Sequence, residues 1–140
     1  MDIDIIIPIY NAFDFVKKCI ETVIEHTDLT QHTLLLVNDK STDERILPLL
    51  NSFIKENQSL NIILIDNKDN QGFVRTVNIG MQYSHHDVVL LNSDTEVTRN
   101  WLSKIQNCAY SKPAVATVTP LSNNATLASV PVSFLQRLLQ

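Results

Sequence analysis

Apolar residues in this chain are concentrated in four short runs that are separated by stretches with helical periodicity. The runs are Ile3–Ile9, Thr33–Val37, Ile62–Ile65 and Val88–Leu91. Because apolar and polar residues hardly alternate within them, the runs predict strands buried on both faces, as in a parallel sheet. A fifth run, Ala114–Thr119, predicts another strand that ends at Pro120. The alternation of strands and helices predicts an α/β fold with an open, mainly parallel sheet and helices on both faces.

The stretches between the runs predict four helices. The first is expected after Asn11 as its N-cap residue, and the second at Ser41–Glu44, which matches a capping box, with a kink or restart at Pro48. The third is expected to begin near Gly72 and the fourth after Thr98. The residues expected to be buried are Val16, Cys19, Ile20, Val23 and Ile24 in the first helix, Ile46, Leu49, Leu50, Phe53 and Ile54 in the second, Phe73, Val77 and Met81 in the third, and Trp101, Leu102, Ile105 and Cys108 in the fourth.

The composition is that of an ordinary soluble domain. The 140 residues are 44% hydrophobic and 19% charged with a net charge of -4, which is enough apolar content for one core. No run of Lys or Arg is interleaved with aromatic residues, so nucleic acid is not an expected partner. The amino terminus lacks a basic region and no apolar run is long enough to cross a bilayer, so the expected location is the cytoplasm. Cys19 and Cys108 are expected to be buried free thiols.

Polar residues follow each of the first four predicted strands. They are Tyr10 and Asn11, Asn38 and Asp39, Asp66 and Asn67, and Asn92, Ser93 and Asp94. In open parallel sheets, ligands bind in the crevice outside the carboxyl ends of the strands. The four strand ends together therefore predict one binding rim that is rich in carboxylates and amides.

The segment after the fourth run has the composition of a site for a metal-bound phosphate. Asn92, Asp94 and Glu96 alternate along it. Magnesium and manganese prefer oxygen ligands, usually take one or two protein carboxylates, and complete their coordination with water and phosphate oxygens. Asp94 alone is then a sufficient protein ligand, and a polar turn that only ends the strand is the alternative interpretation.

Several phosphate-binding folds are excluded by what the chain lacks. With Gly72 and Gly80 as its only glycines, it contains neither the dinucleotide-binding fingerprint nor the Lys-containing phosphate loop. Receiver domains place paired acids after the first strand, where this chain has Pro8-Ile9-Tyr10. The absence of a Gly-rich loop there also counts against sugar nucleotidyltransferases, and the four histidines show no metal-ligand spacing.

Four segments, in order, resemble the motifs of family 2 glycosyltransferases. They are Ile5–Asn11, Val37–Asp43, Asn70–Gly80 and Leu90–Val97. That family has the GT-A (Rossmann-like) fold, uses nucleoside-diphosphate sugars with inversion at the anomeric carbon, and usually requires a divalent metal, Mn2+ or Mg2+. The resemblance implies that residues 1–120 are the nucleotide-sugar-binding part of a GT-A domain and that residues 121–140 begin its acceptor-side half, truncated in this chain.

The resemblance also implies roles for individual residues. The implied nucleotide-binding residues are Pro8, Tyr10, Asn11, Asp39, Asn70, Gly72, Arg75, Asn92 and Ser93. Asp39 would accept a hydrogen bond from the base, and since uracil and thymine offer an imide N–H, UDP- or dTDP-linked sugars are favoured. Arg75 would be either a phosphate or base contact or an exposed helix charge. Asn92 replaces the first acid of the family's Asp-x-Asp motif, and Asp94 matches the second, the usual metal ligand.

The implied reaction is sugar transfer to the hydroxyl of a carbohydrate or lipid-linked acceptor in bacterial surface polysaccharide synthesis, in a longer protein located in the cytoplasm or at the inner face of the membrane. The family's catalytic base follows the fifth strand, but no Asp or Glu follows Glu96, so we expect the base beyond Gln140 and no appreciable transfer by this chain alone. A non-catalytic GT-A-like module that binds nucleotide or a partner protein, and a structural domain with an empty crevice, are the alternatives. The unfinished sheet edge favours a homo-oligomer.

Overall fold

In the computed structural model, which describes residues 1–120, four strands alternate with four helices. The strands are β1 Ile3–Ile9, β2 Thr33–Asn38, β3 Ile62–Asp66 and β4 Asp87–Leu90. The helices are α1 Phe13–His26, α2 Ile46–Glu56, α3 Phe73–Tyr83 and α4 Trp101–Ala109. The strands are all parallel and form one sheet in the order β3-β2-β1-β4. The predicted open parallel α/β architecture is thus confirmed.

The described part of the chain divides into two compact units: residues 1–99 hold the sheet and α1 to α3, and the second unit begins at Asn100 and contains α4. In the described part of the chain, no helix combines the length and the apolar content that crossing a bilayer requires. The predicted start of an acceptor-side half at residues 121–140 lies outside the described residues.

The two faces of the sheet are covered by different helices. Right-handed crossovers from β1 to β2 and from β2 to β3 place α1 and α2 on one face, whereas the return from β3 to β4 places α3 on the other. Gly80 of α3 lies over Ile6 and Val37, so closely that a Cβ atom at position 80 would be 2.7 Å from Ile6 Cγ2. Because the direction of the connections reverses beside β1, a crevice is expected at the carboxyl ends of β1 and β4.

The inner strands β1 and β2 supply most of the core. Ile5, Ile6 and Ile7 are fully buried, as are Leu34 and Leu36. Both strands have hydrogen-bonded neighbours on each side and helices on each face, so their positions are apolar except for Asp4 in β1 and for Thr33 and Asn38 at the two ends of β2. On the α3 face, the core consists of the buried residues Ile6, Leu35 and Val37 and the partly buried Ile63, Ile65, Ile79 and Val88.

The loop between β1 and α1 differs from the prediction, because Asn11 does not cap α1. Ala12 precedes the helix without a side-chain cap bond, and both Asn11 (φ 59°) and Ala12 (φ 57°) have left-handed backbones rather than the extended one of a typical N-cap. The Asn11 Oδ1 accepts hydrogen bonds from the backbone N–H groups of Thr42 (2.8 Å) and Asp43 (2.9 Å). The Asn11 side chain therefore joins the loop after β1 to the loop after β2.

The start of α2 also differs from the prediction. The prediction of a capping box at Ser41 was wrong. Helix α2 begins at Ile46, and the Ser41 hydroxyl donates a hydrogen bond to Asn38 Oδ1 at 2.7 Å. Pro48 falls in the first turn of α2. A backbone N–H is not needed there for an intrahelical bond, so Pro48 does not interrupt the helix.

The buried face of α3 is rotated from the predicted one. Thr76, Val77 and Gly80 are buried, but Phe73 is 61% exposed and Met81 is 42% exposed. The prediction that Phe73 and Met81 are buried was therefore wrong. The physical reason is Gly80, which lets the helix backbone approach the sheet and places positions 76, 77 and 80 at the contact.

Two predictions for the unit that begins at residue 100 were wrong. No strand forms over residues 114–119: Ala114 lies in a turn with φ 66°, and the described residues after it belong to no hydrogen-bonded ladder. An apolar run becomes a strand only where a partner strand satisfies its backbone groups. Cys108 is an exposed free thiol, whereas Cys19 is a buried one, as predicted.

His32 is buried, and its Nδ1 accepts a hydrogen bond from the backbone N–H of Ile3 at 3.2 Å. Burial lowers the pKa of His32 below its ordinary value, although the carboxylates of Asp28 and Asp2 act in the opposite direction and the amino-terminal charge adds to the lowering. The folded chain therefore favours the neutral imidazole, whose unprotonated Nδ1 can accept the Ile3 N–H.

We expect the chain to lose stability through His32 as the pH falls below 6.5, its ordinary pKa. The folded state holds fewer protons on His32 than the unfolded chain, so this contribution is complete above that pKa and is lost as the pH approaches the lower folded value. Leaving the buried Ile3 N–H without an acceptor costs about 1–3 kcal/mol. Chemical denaturation at falling pH should show wild type losing more stability than His32→Asn, whose amide oxygen can accept without titrating. Equal losses in the two proteins would contradict this account.

Candidate functional site

A cleft of about 260 Å³ opens at the carboxyl edge of the sheet, on the face that α3 covers. It is lined by Pro8, Ile9, Tyr10, Asp39, Asn70, Gly72, Phe73 and Thr76. These residues come from the ends of β1 and β2 and from the loop and first turn of α3. The cleft therefore brings together residues from three of the four sequence segments that were predicted to form the site.

Asp39 is the polar centre of this cleft and is only 3% exposed. Its Oδ1 accepts hydrogen bonds from the Gln71 backbone N–H (2.7 Å) and from Asn67 Nδ2 (3.0 Å), and its Oδ2 accepts the Gly72 backbone N–H (2.9 Å). Asn70 Nδ2 donates to the Asp39 backbone carbonyl at 3.2 Å. The end of β2 is therefore fastened to the loop that precedes α3, and this loop forms one wall of the cleft.

The hydrogen-bond donors around Asp39 stabilise its charged form. Burial by itself raises the pKa of Asp39, but the donors, namely Gln71 N–H, the Asn67 amide, the Thr76 hydroxyl and Gly72 N–H, outweigh it and lower the pKa below the ordinary value. The negative charge lies at the amino-terminal end of α3, where the helix dipole also favours it. Asp39 is thus a buried, ionised carboxylate at neutral pH.

Gly72 determines the backbone conformation of the loop before α3. Its φ of 79° lies in the region that side chains rarely adopt, although a Cβ atom there would meet nothing within 4 Å. The position therefore requires glycine for its backbone conformation rather than for space.

Two aromatic rings border the cleft and remain open to solvent. Tyr10 is 49% exposed and Phe73 is 61% exposed, and both line the cleft. Half-exposed rings beside a concave surface offer planar faces on which a flat heterocycle can stack. Sequence reasoning missed Phe73 because its apolar character was interpreted as a buried helix position. Its location directly after Gly72, at the start of a helix at the carboxyl edge, was the available signal.

Three further strand-end residues, Asn11, Asn38 and Asp66, form a second network with Ser41 on the opposite face of the sheet. Asn38 Nδ2 donates to Asp66 Oδ1 at 2.7 Å, the Ser41 hydroxyl donates to Asn38 Oδ1, and the Asn11 N–H donates to Ser41 Oγ at 2.9 Å. Consecutive residues of a strand face opposite sides, so Asn38 and Asp39 belong to different networks. Asn11 does not line the cleft, and its nucleotide contact stays a prediction.

The acidic segment Asn92–Val97 follows β4. Asn92, Asp94 and Glu96 are exposed, whereas Val97 is buried. Among residues 1–120, no group of three or more His, Cys, Asp or Glu side chains is arranged to hold a metal ion. A cation at Asp94 would therefore take most of its ligands from a phosphate and from water, which suits Mn2+ or Mg2+.

The thiol of Cys19, on α1, lies directly under the acidic segment. Its Sγ is 3.6 Å from the carbonyl oxygen of Asn92. Burial raises the pKa of Cys19 to about 11, and the nearby carboxylate of Asp94 acts in the same direction. Cys19 is therefore a neutral thiol whose S–H can donate to Asn92.

The remaining predicted residues lie outside the cleft lining. Arg75 is exposed on α3 and forms no ion pair with any described residue. Asn92 and Ser93 lie on the acidic segment beside the end of β1, where the preceding Leu91 N–H donates to the Ile6 carbonyl at 3.0 Å. The structure places these residues at the same sheet edge as the cleft, and their contacts with a nucleotide stay predictions.

A family model described as Glycosyl transferase family 2 matches residues 4–134. The chain belongs to this family. Polypeptide N-acetylgalactosaminyltransferase 11 from Xenopus tropicalis is 31% identical over 104 residues, which are 72% of this chain and 17% of that protein. Poly(ribitol-phosphate) beta-glucosyltransferase from Bacillus spizizenii is 33% identical over 73 residues, which are 51% of this chain and 11% of that protein.

The fold of this family 2 chain is also found in a solved glycosyltransferase structure. Mannosyltransferase PcManGT from Pyrobaculum calidifontis, in complex with GDP-Man and Mn2+, has a TM-score of 0.79 at 17% identity, covering 86% of this chain and 35% of that one. This likeness confirms the GT-A fold expected from the sequence motifs. The chain spans about a third or less of the length of each of these three proteins.

Proposed function

We propose that this chain is the donor-binding part of an inverting glycosyltransferase that uses a UDP- or dTDP-linked sugar and a divalent cation. The observation that carries the proposal is the cleft built around buried, ionised Asp39 and bordered by Tyr10 and Phe73, at the same sheet edge as exposed Asp94. Membership of family 2 supports sugar transfer as the reaction.

The cleft suits the base of the donor. Ligand pockets for whole drug-sized molecules measure roughly 300–1,000 Å³. A cleft of about 260 Å³ is smaller than these, so the base enters it while the diphosphate and sugar extend outside. Tyr10 and Phe73 would stack on the base, and an imide N–H would add one more donor to the Asp39 carboxylate.

Asp94 is proposed to hold Mn2+ or Mg2+ together with the donor diphosphate, and the Asn92 amide would hydrogen-bond the ribose or phosphate without adding charge. The cation, when bound, would neutralise the charge that develops on the leaving diphosphate. The exposure of Asp94 leaves its carboxylate accessible to a phosphate-bound ion.

The acceptor side of the reaction is assigned to the longer protein. We propose a carbohydrate or lipid-linked hydroxyl as acceptor, bacterial surface polysaccharide as product, and a cytoplasmic location that includes the inner membrane face. A homo-oligomer is part of the same proposal. No Asp or Glu follows Glu96, so a carboxylate base for the acceptor hydroxyl would lie outside this chain, and the isolated chain should bind donor without appreciable transfer.

The test of the metal role compares Asp94→Ala with wild type. Titration calorimetry should show UDP binding wild type about tenfold more tightly with Mn2+ than with chelator, because a charge-assisted contact is gained. Asp94→Ala should lose that gain and keep its affinity in chelator. Glu96→Ala, which removes an exposed acid two residues away, is the matched control and should keep the gain. Equal wild-type affinities with Mn2+ and with chelator would refute the metal role.

A further inference from the structure

The acidic segment is attached to α1 at both ends. Near its start, Cys19 Sγ lies 3.6 Å from the Asn92 carbonyl oxygen, and at its end, the Val97 N–H donates to Thr22 Oγ1 at 3.2 Å. Cys19 and Thr22 are three positions apart, so they lie on the same face of α1. One helix face therefore holds a segment whose ends are five residues apart.

At Thr22, one buried hydroxyl group both donates and accepts a hydrogen bond. Thr22 is 7% exposed, and its hydroxyl donates to the Cys19 carbonyl oxygen at 2.9 Å. Because that bond fixes the hydroxyl hydrogen, an oxygen lone pair remains available for the Val97 N–H. Val97 is itself 6% exposed, so its backbone N–H would have little access to replacement water.

The attachment at Cys19 fixes the turn that precedes Asp94. The Asn92 carbonyl accepts the thiol and also the Thr95 N–H at 3.1 Å, which closes a turn over Asn92–Thr95. The Thr95 N–H lies against the Cys19 sulfur as well. The backbone around Asp94 is thus held, while Asp94 itself is exposed to solvent.

We infer that Cys19 and Thr22 are positioning residues that hold the acidic segment in the conformation in which Asp94 receives the metal–diphosphate group. The inference rests on the proposed metal role of Asp94. Neither side chain touches the ion: each acts through the backbone of the segment. Groups that orient a metal ligand in this way commonly contribute tenfold or more to metal affinity.

The experiment uses Thr22→Val and Cys19→Ala in the full chain. Thr22→Val keeps the side-chain shape but removes the acceptor of the Val97 N–H, and Thr22→Ser restores the hydroxyl. Thr33→Val and Cys108→Ala are the matched controls, because they make similar substitutions at the opposite sheet edge and at an exposed thiol. The measured quantity is the ratio of UDP affinity with Mn2+ to UDP affinity with chelator.

A second measurement is independent of any ligand. Amide hydrogen exchange in the ligand-free chain should become faster at Val97 in Thr22→Val and at Thr95 in Cys19→Ala, and should stay unchanged in both controls. Cys19→Ala provides the same test if Thr22→Val lowers the stability too far for binding measurements.

In Thr22→Val and Cys19→Ala, we expect the ratio of UDP affinity with Mn2+ to UDP affinity with chelator to fall about tenfold, while the affinity in chelator stays unchanged. Thr22→Ser should have a ratio close to that of wild type. Variants that keep the wild-type ratio would overturn the inference while leaving the metal role of Asp94 intact. If wild type bound UDP equally well with Mn2+ and with chelator, both the inference and the metal role of Asp94 would be overturned. The exchange data would then show whether α1 still fixes the acidic segment. Unchanged exchange at Val97 and Thr95 would overturn the inference by itself.

Discussion

Replacing Asp39 with asparagine is expected to lower the free energy of unfolding by about 2–4 kcal/mol even without a nucleotide, because a partly buried backbone N–H loses its acceptor and a charge at a helix amino terminus is removed. In Asp39→Asn, the new amide group must face donors already directed at the site, the N–H groups of Gln71 and Gly72 among them. Chemical denaturation measures the loss. Asp66→Asn makes the same change at an exposed strand end with a single carboxylate contact to Asn38, and it should cost far less.

The same substitution tests base recognition. Wild type should prefer UDP to CDP by about tenfold or more, because cytosine lacks the imide N–H that a charged acceptor binds. In Asp39→Asn, the preference for UDP over CDP should be smaller, because the charged acceptor is replaced by a neutral amide. GDP, whose base also presents a ring N–H but is larger, tests whether the cleft of about 260 Å³ selects by size. A wild-type chain that binds UDP and CDP equally would show that Asp39 only fastens the loop before α3.

Replacing Gly80 with alanine is expected to destabilise the chain by about 1–2 kcal/mol net, since overpacking a core contact costs about 1–3 kcal/mol and the better helix propensity of alanine returns up to about 1 kcal/mol. The new methyl would lie 2.7 Å from Ile6 Cγ2 and 3.2 Å from Val37 Cγ2. Both are methyl groups on β-branched residues of the core strands and have little freedom to move aside.

The control for Gly80→Ala uses an exposed position of the same helix. The variant Asn78→Ala should have a higher free energy of unfolding than Asn78→Gly, because only helix propensity distinguishes the two residues at this exposed position. At position 80 the order should reverse, so that wild type, with Gly80, has a higher free energy of unfolding than Gly80→Ala. If alanine is preferred at both positions, α3 does not press against the sheet at Gly80.

The strands were predictable because their physical requirement is local in the sequence. β1 has the predicted bounds, and the other three strands differ from their predictions by a single residue at one end or both. A strand buried on both faces needs apolar residues at nearly every position, and such a run is visible without knowledge of its partners. The Ala114–Thr119 run shows the limit of this rule, because an apolar run does not reveal whether a hydrogen-bonding partner exists.

The helix starts were less predictable because the polar residues near them bond over long distances. Asn11 has the right chemistry for an N-cap, but its partners, Thr42 and Asp43, are more than thirty residues away in sequence. Ser41 similarly bonds to Asn38 rather than to the first turn of α2. Capping rules consider only the neighbouring turn, so they cannot detect a competing partner in another loop.

The candidate site was predictable in part. Pro8, Tyr10, Asp39, Asn70 and Gly72 all line the cleft, because the carboxyl ends of parallel strands and the following loops meet at one edge. The single predicted rim proved to be two networks, since the alternation of side chains along β2 sends Asn38 and Asp39 to opposite faces. The exposure of Phe73 depends on how closely Gly80 lets α3 approach the sheet, which the sequence does not specify.

The separation of the two strand-end networks matters for protein engineering. Within the described residues, the side chains of Asn11, Asn38 and Ser41 hydrogen-bond to this network's own members or to Thr42, Asp43 and Asp66, and to none of the residues that line the cleft. The loop that carries Tyr10 is thus held from the reverse side of the sheet. A library of substitutions at Tyr10 and Phe73, the two exposed rings that border the cleft, would vary the recognition surface on an unchanged frame, so that a new ligand preference could be selected without redesigning the fold.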